Sequence, residues 1–442
     1  LKNVHSSNHN NILGYFASFS DKTTNSGAHE PRVKGTNSAI GWFDGTLKLQ
    51  GIIGAFRATG SSNPVSNNIA VYGVSGQRND VSRSYVMGSG STVPTNNKTL
   101  TVEDLHVAFG SKSVNGTMVF ADKGTMVDVK GLNDRIVDSA WEDMTGATIN
   151  WGYQNPEFSS SLGTTIAYAT GVFSAREHNL DSTADSGLID KVTSHIKING
   201  SNVDMISRQG TAYNATNGGE IEVTGNKTTR AGGYQSVIAY ATGKVGDIIS
   251  TNPTYYSKYS AYSNYANTAS KISIEGDIIA ADNNILGKVN SAGGNTIGTP
   301  DPAKVSANGF SNRKDTYQNI GAYAKDGATI TIKTAHKATD TVEDVTAPTG
   351  SLIYGLAAYA DGAGSKVTYD KNGAGILVVS GKDGAVYATN NGQVEFNGDI
   401  INQDNSLNTV VAKRGSHAIG LGGTADQERA GLNTGTSHYS ST

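Results

Sequence analysis

Three groups of residues in this 442-residue chain have side chains that could do chemistry. The first is a set of carboxylates. Asp128, Glu222 and Glu395 each lie between apolar neighbours, in MVDVK, EIEV and QVEF. Cleavage of a polysaccharide needs two converging acids, one to protonate the leaving oxygen and one to attack or to activate water. By alternation all three point away from any interior, and their counterparts in related stretches are Ser273, Thr331 and Thr368. The acids are therefore scattered along a face, and a solvated face is the plainer reading. The second group is REHNLDSTAD, where His178 lies beside Glu177, Asp181 and Asp185. These types ligate a divalent metal when they converge, but a polar loop also gathers them by composition alone. The third group is aromatic. Tyr255, Tyr256, Tyr259 and Tyr262 fall close together, interleaved with Ser, Asn and Lys258. Broad rings with hydroxyls, set among small polar residues, suit contact with a sugar or a protein. These four tyrosines are the candidate binding residues. No GxSxG elbow, HExxH pair or phosphate loop occurs, so no catalytic residue, metal or cofactor is assigned and an enzyme is not expected.

A repeated phrase positions these residues. AVYATNNGQVEFNGDI (385–400) has relatives in MVFADKGTMVDVKG (118–131), TAYNATNGGEIEVTG (211–225), NYANTASKISIEGDI (264–278), GAYAKDGATITIK (321–333) and AAYADGAGSKVTYD (357–370). IAYATG at 166–171 and 238–243 carries the first half alone. The pattern is small–aromatic–Ala, a polar turn with Gly, then apolar–x–apolar. The aromatics so aligned are Phe120, Tyr168, Tyr213, Tyr240, Tyr265, Tyr323, Tyr359 and Tyr387. They read as a structural stack. Asp247, Asp277 and Asp399 each follow Gly, where Asp is expected to bond its own nearby backbone.

Short strands of this kind cannot bury an apolar face alone. Stacked on the next copy at about 4.8 Å, they gain a shared sheet and interior. The expected fold is all-β, a right-handed parallel β-helix (a solenoid) with inserted loops. It spans 1–442 as one unit, with less regular coils over 1–60 and insertions at 172–195, 249–264, 281–319 and 334–351. Helical repeats and a Rossmann fold fail for lack of sustained i, i+3, i+4 patterning.

Composition agrees. Gly numbers 54, Cys is absent and only 17% of residues are charged, with a net charge of -3. No disulfide is possible, and there is no basic footprint for nucleic acid. The chain begins at Leu-Lys-Asn and ends in SHYSST, and both ends read as cuts through a longer protein.

The phrase small–Tyr–Ala–x–x–Gly–x–Val–x–Val–x–Gly, as in AVYATNNGQVEFNG and GAYAKDGATITIKT, resembles passenger domains of type V secretion autotransporters. The Asn- and Tyr-rich style and the Gly-Asp-Ile endings look most like large fusobacterial adhesins, over roughly 105–405. The resemblance implies export to the bacterial outer membrane and cell surface, with membrane anchoring only through a C-terminal barrel outside this sequence. It also implies adhesion to a host-cell receptor or glycan, or to other bacteria. Two other functions fit the same scaffold, a polysaccharide-processing enzyme and a self-associating toxin-like passenger. Export through a narrow barrel explains the missing Cys, because a disulfide would close a loop and block threading.

Overall fold

The computed structural model describes the chain most fully over 113–122, 126–130, 161–171, 193–200, 202–232, 236–247, 267–281, 319–338, 350–380 and 384–402. Outside these it describes short strands between 2 and 109, and 135–137, 410–412, 417–420 and 436–438. The described residues are nearly all in strands, with helix confined to one turn at 245–247. The four candidate tyrosines, Tyr255, Tyr256, Tyr259 and Tyr262, together with Tyr265 and His178, lie outside the described residues.

Most of the strands stack in three parallel rows, and a short fourth ladder joins Val65–Ser66, Ser113–Val114, Ser161–Leu162 and the end of Asn202–Arg208. The first row passes through Ile69–Ser75, Thr117–Asp122, Thr165–Thr170, Thr211–Thr216, Val237–Thr242, Asn319–Lys325, the later part of Leu352–Asp361, Val386–Thr389 and Val410–Ala412. The second runs from Thr99–Glu103 through Met126–Lys130 and His195–Asn199, the early parts of Glu220–Gly232 and Lys271–Ala281, and on to Thr329–Lys333, Lys366–Tyr369, Gln393–Phe396 and His417–Gly420. The third takes Arg135–Val137, Asn202–Arg208, the later parts of Glu220–Gly232 and Lys271–Ala281, the first residues of Leu352–Asp361, Ile376–Ser380 and Gly398–Asn402. One pass through the rows is a coil, and each coil pairs with the next. Nearer the start, Ile12–Ser18 pairs with Ile69–Ser75 and Ile40–Trp42, and Lys2–Ser6, Gln50–Ala55 and His106–Phe109 form a separate parallel sheet. Gly398–Asn402 is also met by Thr436–His438, running antiparallel.

The alternation read from the sequence places the core. In the second row Val127, Ile196, Ile221, Ile272, Ile330, Val367 and Val394 form one buried column. Their neighbours two residues on, among them Ile198, Val223, Ile274 and Ile332, form a second. Each fully buried Val or Ile stabilises by about 1.5–3 kcal/mol. In the first row alanines fill the interior on both sides of the aromatic position, as at Ala167/Ala169, Ala239/Ala241 and Ala322/Ala324. Small side chains suit this row because larger ones reach across to it. Tyr369 is one: its hydroxyl donates to Ala357 O at 2.8 Å, and a Cβ on Gly321 would stand 2.7 Å from the Tyr369 hydroxyl oxygen. Between Ile279 and Leu377 the third row is apolar on both faces, with Asp204, Arg230 and Asp399 in the same register column on either side. Ile278, Ala280, Ile353 and Val378 join the interior cluster, while Ile279, Leu352 and Leu377 are buried outside it.

Register corrects two points of the sequence alignment. Tyr168 pairs with Asn214, and Asn214 with Tyr240, so Tyr213 belongs to the buried position opposite Ala167. It turns inward and shares a 2.5 Å hydrogen bond with Thr229 Oγ1. The strand bearing Tyr240 pairs directly with that bearing Tyr323, so the aromatic row has no rung for Tyr265. NYANTASKISIEGDI is thus not a whole copy of the phrase. Lys271–Ala281 completes the coil opened by Val237–Thr242, and His195–Asn199 completes the one opened by Thr165–Thr170. Both coils are interrupted at the same corner, between the first and second rows. Ser194 Oγ donates to Thr170 O (2.6 Å) and Ser270 Oγ to Thr242 O (2.7 Å), closing the corner across each interruption. The short-turn coil of Lys366–Tyr369 uses the same bond, Ser365 Oγ to Asp361 O (2.6 Å). In two other short-turn coils Gly219 and Gly392 take the serine's place, since a Cβ on either would fall 2.2–2.3 Å from Ala169 O or Ala360 O.

Candidate functional site

The outer face of the first row is the most regular chemical surface among the described residues. Each strand turns three side chains outward, as Thr165, Tyr168 and Thr170 do. The middle positions are Tyr72, Phe120, Tyr168, Asn214, Tyr240, Tyr323, Tyr359 and Tyr387. The rings stack on one another. Centroids are 4.9 Å apart for Tyr72–Phe120, 4.8 Å for Phe120–Tyr168 and 4.6 Å for Tyr323–Tyr359. Tyr240–Tyr323 (5.3 Å) and Tyr359–Tyr387 (6.0 Å) are tilted or edge-on. Stacking at the rung spacing follows from parallel pairing in register, which puts like residues above like. It also covers the ring faces. Along most of the row a ligand meets ring edges and phenol oxygens.

The flanking columns set the polarity. On one side Thr170, Thr216 and Thr242 follow Asp122 and precede Lys325, Asp361 and Thr389. These groups bond the phenols and each other. Tyr72 donates to Asp122 Oδ2 (3.0 Å), and Thr216 Oγ1 shares hydrogen bonds with Tyr168 Oη (3.2 Å) and Thr170 Oγ1 (2.7 Å). On the other side the column changes from Thr165 and Thr211 to Val237, Ile320 and Leu356.

Half-burial within the stack raises the Tyr323 phenol to about 12, with neighbouring Tyr359, Asp361, Tyr240 and Asp326 adding to it. Complete burial raises Tyr369 further in the same direction. In the unfolded chain both phenols ionise near 10, so above about pH 10 the folded state binds more protons. Stability therefore falls as pH rises beyond that point. An alkaline titration is expected to show part of the phenolate absorbance appearing only as the β circular-dichroism signal is lost. Complete ionisation of all 20 tyrosines near pH 10 with an intact β signal would contradict the packing described.

The outer face of the second row carries the carboxylates singled out from the sequence. Asp128, Lys197, Glu222, Ser273, Thr331, Thr368 and Glu395 occupy one column, as alternation required, with Lys197 an addition. Its acids meet cations. Glu222 lies 3.5 Å from Lys197, Glu220 3.0 Å from Lys271, Glu275 3.0 Å from Lys333 and Glu395 2.5 Å from Lys366. Asp128 lies 3.4 Å from Lys130. Glu222 and Glu395 are separated by the Ser273, Thr331 and Thr368 coils, so they do not converge on one bond. His195 heads this row beside Glu222, its Nε2 3.7 Å from Oε2. Burial lowers its imidazole below the ordinary range, partly offset by Glu220 and Glu222.

The third row holds an Asp–His–Ser contact that sequence reading missed. Asp277 is buried and its carboxylate accepts from Ala335 N (3.1 Å), His336 N (2.7 Å) and Ser351 Oγ (3.0 Å), with His336 Nδ1 at 2.9 Å. The order is wrong for nucleophilic catalysis, in which the serine bonds the histidine. Here Ser351 bonds the aspartate and accepts from Ile278 N, so the group ties 335–336 and 351 onto the stack. Asp277 thus bonds the next coil and not its own backbone, contrary to expectation. Asp399 likewise reaches Lys337 Nζ at 2.6 Å. Asp247 does bond locally, accepting from Lys244 N.

No group of three or more His, Asp or Glu residues suited to a metal ion occurs among the described residues. No helix among them is long and apolar enough to cross a membrane. No family model, curated protein or solved structure matches the chain.

Proposed function

We propose that this chain is a passenger fragment of a type V secretion autotransporter, a right-handed parallel β-helix held at the bacterial cell surface, where it acts as an adhesin. The observation that carries this reading is the three-row parallel stack, in which consecutive coils pair in register along a shared interior. Such a stack extends by adding coils, each edge templating the next, which suits folding during export from one end. It supports side faces and corner segments as contact surfaces without rearranging the core. The outer aromatic and hydroxyl face of the first row suits polar, extended contacts. The tyrosines at 255, 256, 259 and 262 follow the corner that closes at Gly243 and stay the loop candidate. Partners on this reading are host-cell receptors or glycans, or neighbouring bacteria. The outer membrane is reached through a barrel encoded beyond this sequence.

The labelled chain is expected to bind cultured epithelial cells or bacterial cells saturably. A Tyr255/Tyr256/Tyr259→Ala triple variant is expected to lose most of that binding. Retained binding by the triple variant moves the contact off this segment. No saturable binding to either cell type overturns the adhesin reading.

A further inference from the structure

Among the described rungs from Tyr72 to Tyr387 the aromatic row has one break. At Asn214 an amide stands where the two flanking rungs carry Tyr168 and Tyr240. Tyr168 stacks on Phe120 on one side only, which leaves its other ring face toward Asn214, and Tyr240, tilted 58° against Tyr323, bounds the far side. Two rungs of about 4.8 Å set these two ring positions about 10 Å apart, and a ring midway would stand about 5 Å from each. That is the spacing the chain itself uses for stacked rings, 4.8 Å for Phe120–Tyr168 and 4.6 Å for Tyr323–Tyr359. Asparagine is shorter than tyrosine by the outer half of a ring, which leaves a slot at the rim of the row. The aromatic of this coil has gone inside, as Tyr213.

We infer that this slot is a carbohydrate subsite: a neutral sugar ring enters between Tyr168 and Tyr240 and is held by the Asn214 amide. Three observations select this class of ligand. The free face of Tyr168, with the tilted ring of Tyr240 opposite, suits the apolar C–H face of a pyranose. Asn214 Oδ1 is buried and has no hydrogen-bond partner in the chain, a deficit that a ligand hydroxyl relieves. The amide reaches that hydroxyl by turning about its terminal torsion, which is broad. Finally, the outward first-row positions of these three coils carry no formal charge. Thr170 and Thr216 offer hydroxyls along one lip, whereas Asp122 and Lys325 lie beyond the slot on either side. An anionic ligand finds no cation there, and a purely apolar side chain would leave the amide unpaired. The subsite deepens the adhesin reading and rests on it for its biological setting.

Asn214→Tyr is the decisive variant, because it completes the ring stack and should fold at least as well as the parent. The probe is a printed array of neutral oligosaccharides ending in galactose, N-acetylgalactosamine, N-acetylglucosamine or fucose. The parent chain is expected to bind a subset of these. Asn214→Tyr is expected to lose binding by tenfold or more while its melting temperature holds or rises. Asn214→Ala, which keeps the slot and removes the amide, is expected to weaken binding by about tenfold, the effect of one hydrogen bond. No binding by the parent, or undiminished binding by Asn214→Tyr, overturns the subsite. The same proteins are applied to cells. Cell binding that survives Asn214→Tyr rejects the subsite and leaves the adhesin reading standing. Array binding without any cell binding keeps the subsite and rejects the adhesin.

Discussion

Ile272→Ala is expected to cost about 2–5 kcal/mol and to loosen the stack locally, leaving distant coils folded. Ile272 is fully buried and sits between Ile221 and Ile330 in the second-row column. Removing its side chain leaves a cavity lined by aliphatics that parallel pairing holds at fixed spacing, so little collapse can fill it. In a stack each coil touches only its neighbours, and stability is a sum of coil and interface terms. Faster hydrogen exchange is therefore expected over 220–224 and 329–333, with 386–396 unchanged. Exchange that quickens uniformly along the chain would mean a globular core in which every part shares each cavity. Unchanged exchange everywhere would mean that Ile272 is not interior.

Gly276→Ala is expected to be the more damaging of two formally identical changes. Gly276 lies where the chain turns from the second row to the third. Its φ is +142°, and a Cβ there would stand 2.1 Å from Lys227 O in the coil below. The backbone strain alone costs about 1–3 kcal/mol. The clash is with backbone in a paired strand, so relief requires breaking the ladder at Lys227↔Gly276. Gly327→Ala is the control. Its φ is +86°, but the nearest atom to its Cβ is Ala363 O at 3.7 Å. Strain without a clash should lower the urea midpoint modestly, while Gly276→Ala should lower it several times further. Equal midpoints for the two variants would show that the coils do not approach as closely as the register requires.

The second row was the most legible part of the fold. Its apolar–x–apolar alternation has period two, and Ile330/Ile332 and Ile221/Val223 are buried as that period demands, with Thr331 and Glu222 outside. The first row was legible except where the aromatic moved. TAYNAT and TIAYAT align by tyrosine or by the Thr that opens and the Ala-Thr that closes each strand, and the second choice is the right one. Tyr72, in IAVYGV, also fits the phrase and pairs with Phe120. Two coils were hidden because a long segment separates their halves at one corner, which fixed-spacing alignment cannot bridge. The contact of Asp277 with His336 and Ser351 was not legible at all. It joins residues 59 and 74 positions apart, and no local pattern encodes such a meeting. The break at Asn214 was equally silent, because a missing ring has meaning only once its neighbours above and below are known.

The account stands on one pairing rule, that a coil lies directly on the next in parallel register. The absence of native Cys allows a clean cross-linking measurement. Ser273 and Thr331 are outward-facing register partners in adjacent coils, on either side of the 282–318 segment. Adjacent parallel strands bring Cα atoms to about 4.8 Å, within disulfide range. The Ser273→Cys/Thr331→Cys double variant is expected to form an intramolecular disulfide under mild oxidation, and Ser273→Cys/Lys333→Cys, two residues out of register, is expected to form it far less. Equal cross-linking of both pairs, or none in the first, would contradict the stacked fold and the surface built on it.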